Sequence, residues 1–179
     1  MIMLKITNIK QFMSLLLSDS SEAFDSFLVK EVMIKTNAVY TIDGHLNKEF
    51  YSNEELEELR AVCEENNRIF SESMLRFSQL KKHCFSVIKG KKTPTFFLFE
   101  FYLAEENINR LLSNIKDNEL RAKDISGLCL NIKYSDGSLS ATTAVSLKVF
   151  TLDKAIEQKW DSSVKSFFTK LNISYETEL

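Results

Sequence analysis

Residues 95–103 read Thr-Phe-Phe-Leu-Phe-Glu-Phe-Tyr-Leu, and this run constrains the fold more than any other segment. Phe97, Phe99 and Phe101 alternate with Phe96, Leu98 and Tyr102, so a strand built from them is apolar on both faces. The run is also too short and too aromatic for a buried helix. It predicts a well-buried strand inside a sheet, and the rest of the chain has to supply partner strands and a helical cover.

The remaining patterns supply them. Ile2–Ile6 reads as an opening strand. Thr7 or Asn8 can cap a helix with Ile9, Phe12, Met13 and Leu16 at helical spacing. After a polar break at Ser18–Ser21, Phe27–Lys35 and Ala38–Asp43 form two strands around a Thr36-Asn37 hairpin turn. Ser52 and Glu55 match a capping box. They open a helical stretch whose seam runs through Leu56, Leu59, Cys63, Phe70, Met74, Phe77, Cys84 and Ile88. Asn66-Asn67 divides that stretch into two helices, or bends a single long one, and Gly90 and Pro94 stop it.

Downstream of the aromatic strand comes a helix bearing Ile108, Leu111, Leu112 and Ile115, then a charged loop from Lys116 to Asp124. Leu128–Tyr134 and Leu139–Thr143 flank a strong Asp136-Gly137 turn. Ser146–Leu152 reads as a further strand. Asp153 caps a last amphipathic helix with Ile156, Trp160, Val164, Phe167, Phe168 and Leu171. The expected fold is therefore α+β, with a mixed or mostly antiparallel sheet built from two strand–helix–strand–strand units at about 1–44 and 95–152. A helical insertion at about 52–90 separates the units, a helix at about 153–171 closes the chain, and residues 1–179 form one domain.

Composition narrows the function classes. Of 179 residues, 44% are hydrophobic and 27% charged, and fourteen are Phe, which suits a chain that builds its own core. The net charge of −2 provides no global field for nucleic acid or anionic membrane. Cys63, Cys84 and Cys129 are odd in number and far apart, as reduced cytosolic thiols are. With no signal peptide or long apolar window, the expectation is a cytoplasmic protein with no membrane partner. Four glycines leave little material for phosphate-cradling loops. No Walker, Rossmann, nucleophile-elbow or zinc-helix motif occurs. Nothing points to a cofactor or a metal, and the balance leans away from an enzyme.

Three features carry chemistry. Glu54, Glu55, Glu57, Glu58, Glu64 and Glu65 crowd the first half of the insertion, and Lys81, Lys82, Lys89, Lys91 and Lys92 the second. The lysines form a candidate phosphate or nucleic-acid patch. The plainer account has two antiparallel helices opposing their charges, or two solvated faces. Basic residues ahead of alternating aromatics also suggest a stacking platform, but Lys89-Gly90-Lys91-Lys92-Thr93-Pro94 lacks the order of an RNA-recognition fingerprint. Asp43, His45 and Glu100 form an alternative polar site for an enzyme or small-ligand binder. His45 is a general acid–base candidate there and Glu100 a carboxylate inside a core strand. Against that, loop histidines are often solvated, and a lysine or arginine opposite Glu100 would make it ordinary. Ser138, Ser140, Thr142, Thr143 and Ser146 give the second hairpin a hydroxyl-rich character that suits a polar ligand or a solvent-facing strand equally.

Three segments carry a family resemblance: Tyr40-Thr41-Ile42-Asp43-Gly44-His45-Leu46-Asn47-Lys48-Glu49-Phe50-Tyr51, Ile88-Lys89-Gly90-Lys91-Lys92-Thr93-Pro94, and Leu147-Lys148-Val149-Phe150-Thr151-Leu152-Asp153-Lys154. Together the chain resembles, over essentially its whole length, a family of uncharacterised proteins of Clostridia-type Gram-positive bacteria. That resemblance implies a bacterial cytoplasmic protein and brings no activity, cofactor or catalytic residue. In architecture alone, two successive strand–helix–strand–strand units are similar to the internal repeat of sliding-clamp domains, which encircle DNA and dock peptides. No residue motif carries that likeness, and clamps lack such a long insertion. The leading expectation is a non-enzymatic binding module with a protein or nucleic-acid partner. Self-association through exposed Phe and Tyr of the insertion is a third reading.

Overall fold

The structure, a computed structural model, describes residues 1–115 and 119–178. Its elements are β1 (Met3–Ile6), α1 (Ile9–Leu17), β2 (Leu28–Lys35), β3 (Val39–Asp43), α2 (Asn53–Glu65), α3 (Phe77–Ile88), β4 (Phe96–Tyr102), α4 (Glu105–Leu112), β5 (Ile125–Ser135), β6 (Ser138–Leu147), α5 (Ala155–Lys170) and β7 (Tyr175–Glu178). Short 3-10 turns lie at Lys48–Phe50 and Ala122–Asp124. Seven strands make one sheet in the order β3-β2-β4-β5-β6-β1-β7, and each neighbouring pair is antiparallel. This is the α+β class expected, but the first strand–helix–strand–strand unit is divided: β2 and β3 join the sheet at β4, whereas β1 pairs with β6 and β7 on the far side of the second unit.

Alternation assigns the faces. Ile42, Val32, Phe99, Ile132, Ala141 and Leu4 fall in one cross-strand row, and all but the half-buried Ile42 are buried. They belong to a core that also takes Phe12 and Leu16 of α1, Phe77 and Cys84 of α3, Ile108 and Leu111 of α4, and Trp160 and Phe168 of α5. Helix α5 buries Ile156, Trp160, Val164 and Phe168 at four-residue spacing. Each such side chain is worth roughly 1.5–3 kcal/mol of transfer free energy. The Trp160 indole also donates to the Cys129 carbonyl at 2.9 Å, anchoring α5 to β5.

The aromatic strand is central, but only one of its faces is sealed. Phe97, Phe99 and Phe101 are buried, whereas Phe96, Leu98, Glu100 and Tyr102 are half-buried. The sequence overstated the burial because aromatic rings on a solvent-facing sheet surface look the same, in one dimension, as rings in a core.

Four other differences follow from the bonds that each segment makes. The second insertion helix starts at Phe77, so Phe70 and Met74 lie outside it. Asn67 turns left-handed (φ 53°) after α2, and residues 74–76 then run beside the end of β2, bridging Met74 to His45 and Arg76 to Leu28. There Val29 donates to the Leu75 carbonyl, Leu75 to Gly44, Leu46 to Ser73 and Phe77 to Phe27. Those bonds replace the helical ladder. Ser146–Leu152 is not a separate strand: Ser146 and Leu147 extend β6, and 148–154 is irregular. Gly90 follows the C-cap Lys89 without a left-handed φ. The short edge strand β7, Tyr-Glu-Thr-Glu, has no apolar pattern to reveal it and exists through its pairing with β1.

Several local signals are realised. Asn8 caps α1 by accepting from the Gln11 amide. The Ser52–Glu55 capping box opens α2. Asp136 and Gly137 take the two positive φ angles of a tight hairpin. Asp153 accepts from the Ala155 amide at the start of α5. Residues 116–118 of the expected charged loop lie outside the described residues. Among the described residues, no helix is long and apolar enough to cross a membrane.

Candidate anion-binding surface

The five lysines separate into two groups. Lys81 is only 5% exposed. Its ammonium donates to Asp25 Oδ1 and to the Ser21 carbonyl, both at 2.6 Å, so it ties α3 to the segment after α1. It is a structural cation and drops out of the patch. Lys82, Lys89, Lys91 and Lys92 are all exposed, and no ion pair involves them among the described residues. Lys82 and Lys89 lie two helical turns apart on one face of α3.

The end of α3 builds a recess of about 540 Å³ against the β2–β3 turn. Lys89, Lys91 and Lys92 line it together with Thr36, Asn37, Thr93 and Thr95, and no carboxylate does. Lys35 stands beside it with its ammonium 4.9 Å from the centre of the Phe96 ring, and its carbonyl accepts the Thr95 amide at 2.9 Å. Thr93 and Thr95 follow the lysines directly in sequence, but Thr36 and Asn37 come from a hairpin more than fifty positions upstream, so the sequence did not associate those two with the lysines. Basic side chains, hydroxyl donors and a missing counter-charge suit an anion with several oxygens, such as a phosphate diester.

The acidic half of the insertion does not cancel this charge. No ion pair links a glutamate of α2 to a lysine of α3 among the described residues. Ser78 and Gln79, at the N-terminal end of α3, share a cleft with Leu59, Val62 and Cys63 of α2, whereas the lysine recess lies at the C-terminal end. Twelve helical residues separate the two ends by about 18 Å. The pairing of opposite charges across the two insertion helices that the sequence allowed is therefore not made among the described residues.

The alternative polar residues come together differently. Asp43, Glu31, Glu100, Asn131 and Thr142 form one cross-strand row on the open sheet face. Glu100 meets Lys30, which a bulge in β2 places 3.4 Å away, and that carboxylate raises the Lys30 pKa. This is the ordinary pairing. His45 folds back on Asp43, donating its amide to Oδ1 at 2.9 Å with the ring nitrogen on the same oxygen. The backbone amide of His45 is the main reason the Asp43 carboxyl sits below its usual range. Both side chains are well exposed, 73% for Asp43 and 60% for His45, so they lie on an open surface and do not enclose a substrate. In the hydroxyl-rich hairpin, Thr143 is buried and structural: it accepts the Ile2 amide at 2.9 Å and donates to Asp161. No group of three or more His, Cys, Asp or Glu among the described residues is placed to hold a metal ion.

The recess residues Lys89, Lys91 and Lys92 fall inside a stretch matched by a family model over residues 15–176, which is most of the chain. The chain belongs to the family of unknown function DUF5721. No curated protein and no solved structure matches it. The match thus gives the chain a family, while any functional reading rests on its own surface chemistry.

Proposed function

We propose that this chain is a non-catalytic, cytoplasmic binding module that holds the phosphate backbone of a nucleic acid at Lys82, Lys89, Lys91 and Lys92. The observation that carries the reading is the recess at the end of α3, where three lysines and three threonines converge without a carboxylate. Counterion release would drive such binding, so its affinity falls steeply with salt. Four phosphate contacts correspond to a log–log salt slope of roughly −3.6 on duplex and −2.8 on single-stranded DNA.

Fluorescence anisotropy with labelled single- and double-stranded DNA across a salt series tests this. Alanine at Lys89, Lys91 and Lys92 together should flatten the slope by about three on duplex and weaken binding at low salt at least tenfold. Lys82→Ala should remove about one unit more. No binding at low salt, or an affinity indifferent to salt and to these substitutions, overturns the reading.

A further inference from the structure

Two apolar surfaces stay open to solvent among the described residues. The first is the segment between β6 and α5, where Phe150 is 89% exposed, Leu152 85% and Val149 42%. Single exposed apolar residues are common, but three within four positions mark a contact surface. The second is an open groove of about 720 Å³ between α1 and α3. Met13 and Leu17 form one wall and Phe85 and Ile88 the other. The floor is Phe97 and Tyr134, stacked at 5.0 Å. Phe85 is itself 43% exposed.

We propose that residues 148–153 of one copy dock into the α1–α3 groove of a second copy of this chain, head to tail. Three observations select that occupant. Length agrees: six extended residues span about 17 Å from first to last, and the groove wall runs about 12 Å along α1 from Ile9 to Leu17 and continues through Ser18 and Asp19. Charge agrees and sets the direction. Lys148 precedes the apolar stretch and Asp153 follows it. The groove carries Asp19 at one end, and at the other it shares Ile88 and Thr93 with the lysine recess.

Geometry requires the contact to be made in trans. The groove floor pairs through Tyr134 with Leu139, at the start of β6, while the segment leaves from Leu147 at its end. Those points lie about 27 Å apart along the strand, and two further residues cannot return Val149 to its own groove. A contact between two different patches is heterologous, so each copy keeps one free groove and one free segment. The proposal does not rest on nucleic-acid binding at the lysines.

Complementary variants test it in the full-length chain. Phe150→Ala removes the segment's largest side chain and leaves the groove, whereas Phe85→Glu spoils the groove and leaves the segment. Sedimentation equilibrium should show wild-type mass rising with concentration, and each variant alone should associate at least about tenfold more weakly. Mixing the two should restore one contact, giving a 1:1 heterodimer that grows no further. A wild-type chain that stays monomeric at high concentration overturns the proposal. So does unchanged association of either variant, or a mixture that yields no heterodimer. Circular dichroism and melting temperature of each variant show that the fold is intact. A wild-type chain that associates but binds no DNA at low salt counts against the lysine reading alone.

Discussion

Replacing Lys81 by Met should destabilise the protein by about 3 kcal/mol while Lys82→Met does almost nothing, although the two lysines are neighbours in the chain. Methionine keeps the apolar stem of Lys81 in place and removes only the ammonium. That leaves Asp25, whose side chain is 19% exposed, and the Ser21 carbonyl without their 2.6 Å donor. Breaking a buried pair by deleting one partner costs about 3–5 kcal/mol, and the residual solvation of Asp25 puts this case at the lower end. For a chain of this length each kcal/mol shifts the melting temperature by about 2–4 °C, so the loss is about 6–12 °C, read by circular dichroism. Exposed Lys82 should stay within about 0.5 kcal/mol. Adding Asp25→Leu to Lys81→Met removes the stranded charge and should restore about half of the loss, leaving only the unpaired carbonyl. Equal melting temperatures for the two lysine variants, or a double variant less stable than Lys81→Met, would refute the assignment of Lys81 as a structural cation.

Three further outcomes are specific. Gly44→Ala should cost more than about 4 kcal/mol or prevent folding, because a Cβ there would lie 2.0 Å from the Val29 carbonyl oxygen. Gly90→Ala, with nothing nearer than 3.8 Å, should be neutral in the same melts. Thiol titration of the native protein at pH 8 should give one fast group, half-exposed Cys63. Burial pushes the Cys84 thiol up to about 12 and raises Cys129 as well, so both stay protonated until denaturant releases all three; a second fast thiol in the native state contradicts this. Glu72 accepts from Lys48 at 2.8 Å and Arg60 at 3.1 Å, which holds its carboxyl below its ordinary 4.5. Its tie across the insertion is therefore fully present above pH 4.5 and lost as pH falls through the lowered value; a carboxyl-carbon NMR midpoint at or above 4.5 would contradict that.

Much of the scaffold was legible because it is written locally. The Asn8 cap, the Ser52–Glu55 box and the Asp136-Gly137 turn depend on neighbours in sequence, and each sits where its residue type requires. What escaped depends on distant partners. Residues 73–77 carry helical-looking apolar residues, yet their backbone groups are taken by Phe27, Val29, Gly44 and Leu46. Strand β7 has no pattern of its own and is defined by β1. The same limit applied to the site: five lysines close in sequence looked equivalent, but the Asp25 carboxylate fifty-six positions from Lys81 makes that one different. Thr36 and Asn37 of the recess could not be gathered without the β2–β3 turn folding against the end of α3.

The strand order also dictates when the sheet can be finished. Strand β1 is made before β2 to β5, yet its two neighbours, β6 and β7, are made after them: Met3 pairs with Thr142 on one side and Glu178 on the other. At roughly 5–20 residues per second, Leu4 and Ile6 wait on the order of ten seconds on the ribosome before Leu139 and Ala141 appear beside them. The hairpins β2–β3 and β5–β6 can close on their own schedule. Completion of the core, with α1 seated over it, has to wait until β6 and β7 have been made, and until then β1 is unpaired apolar chain.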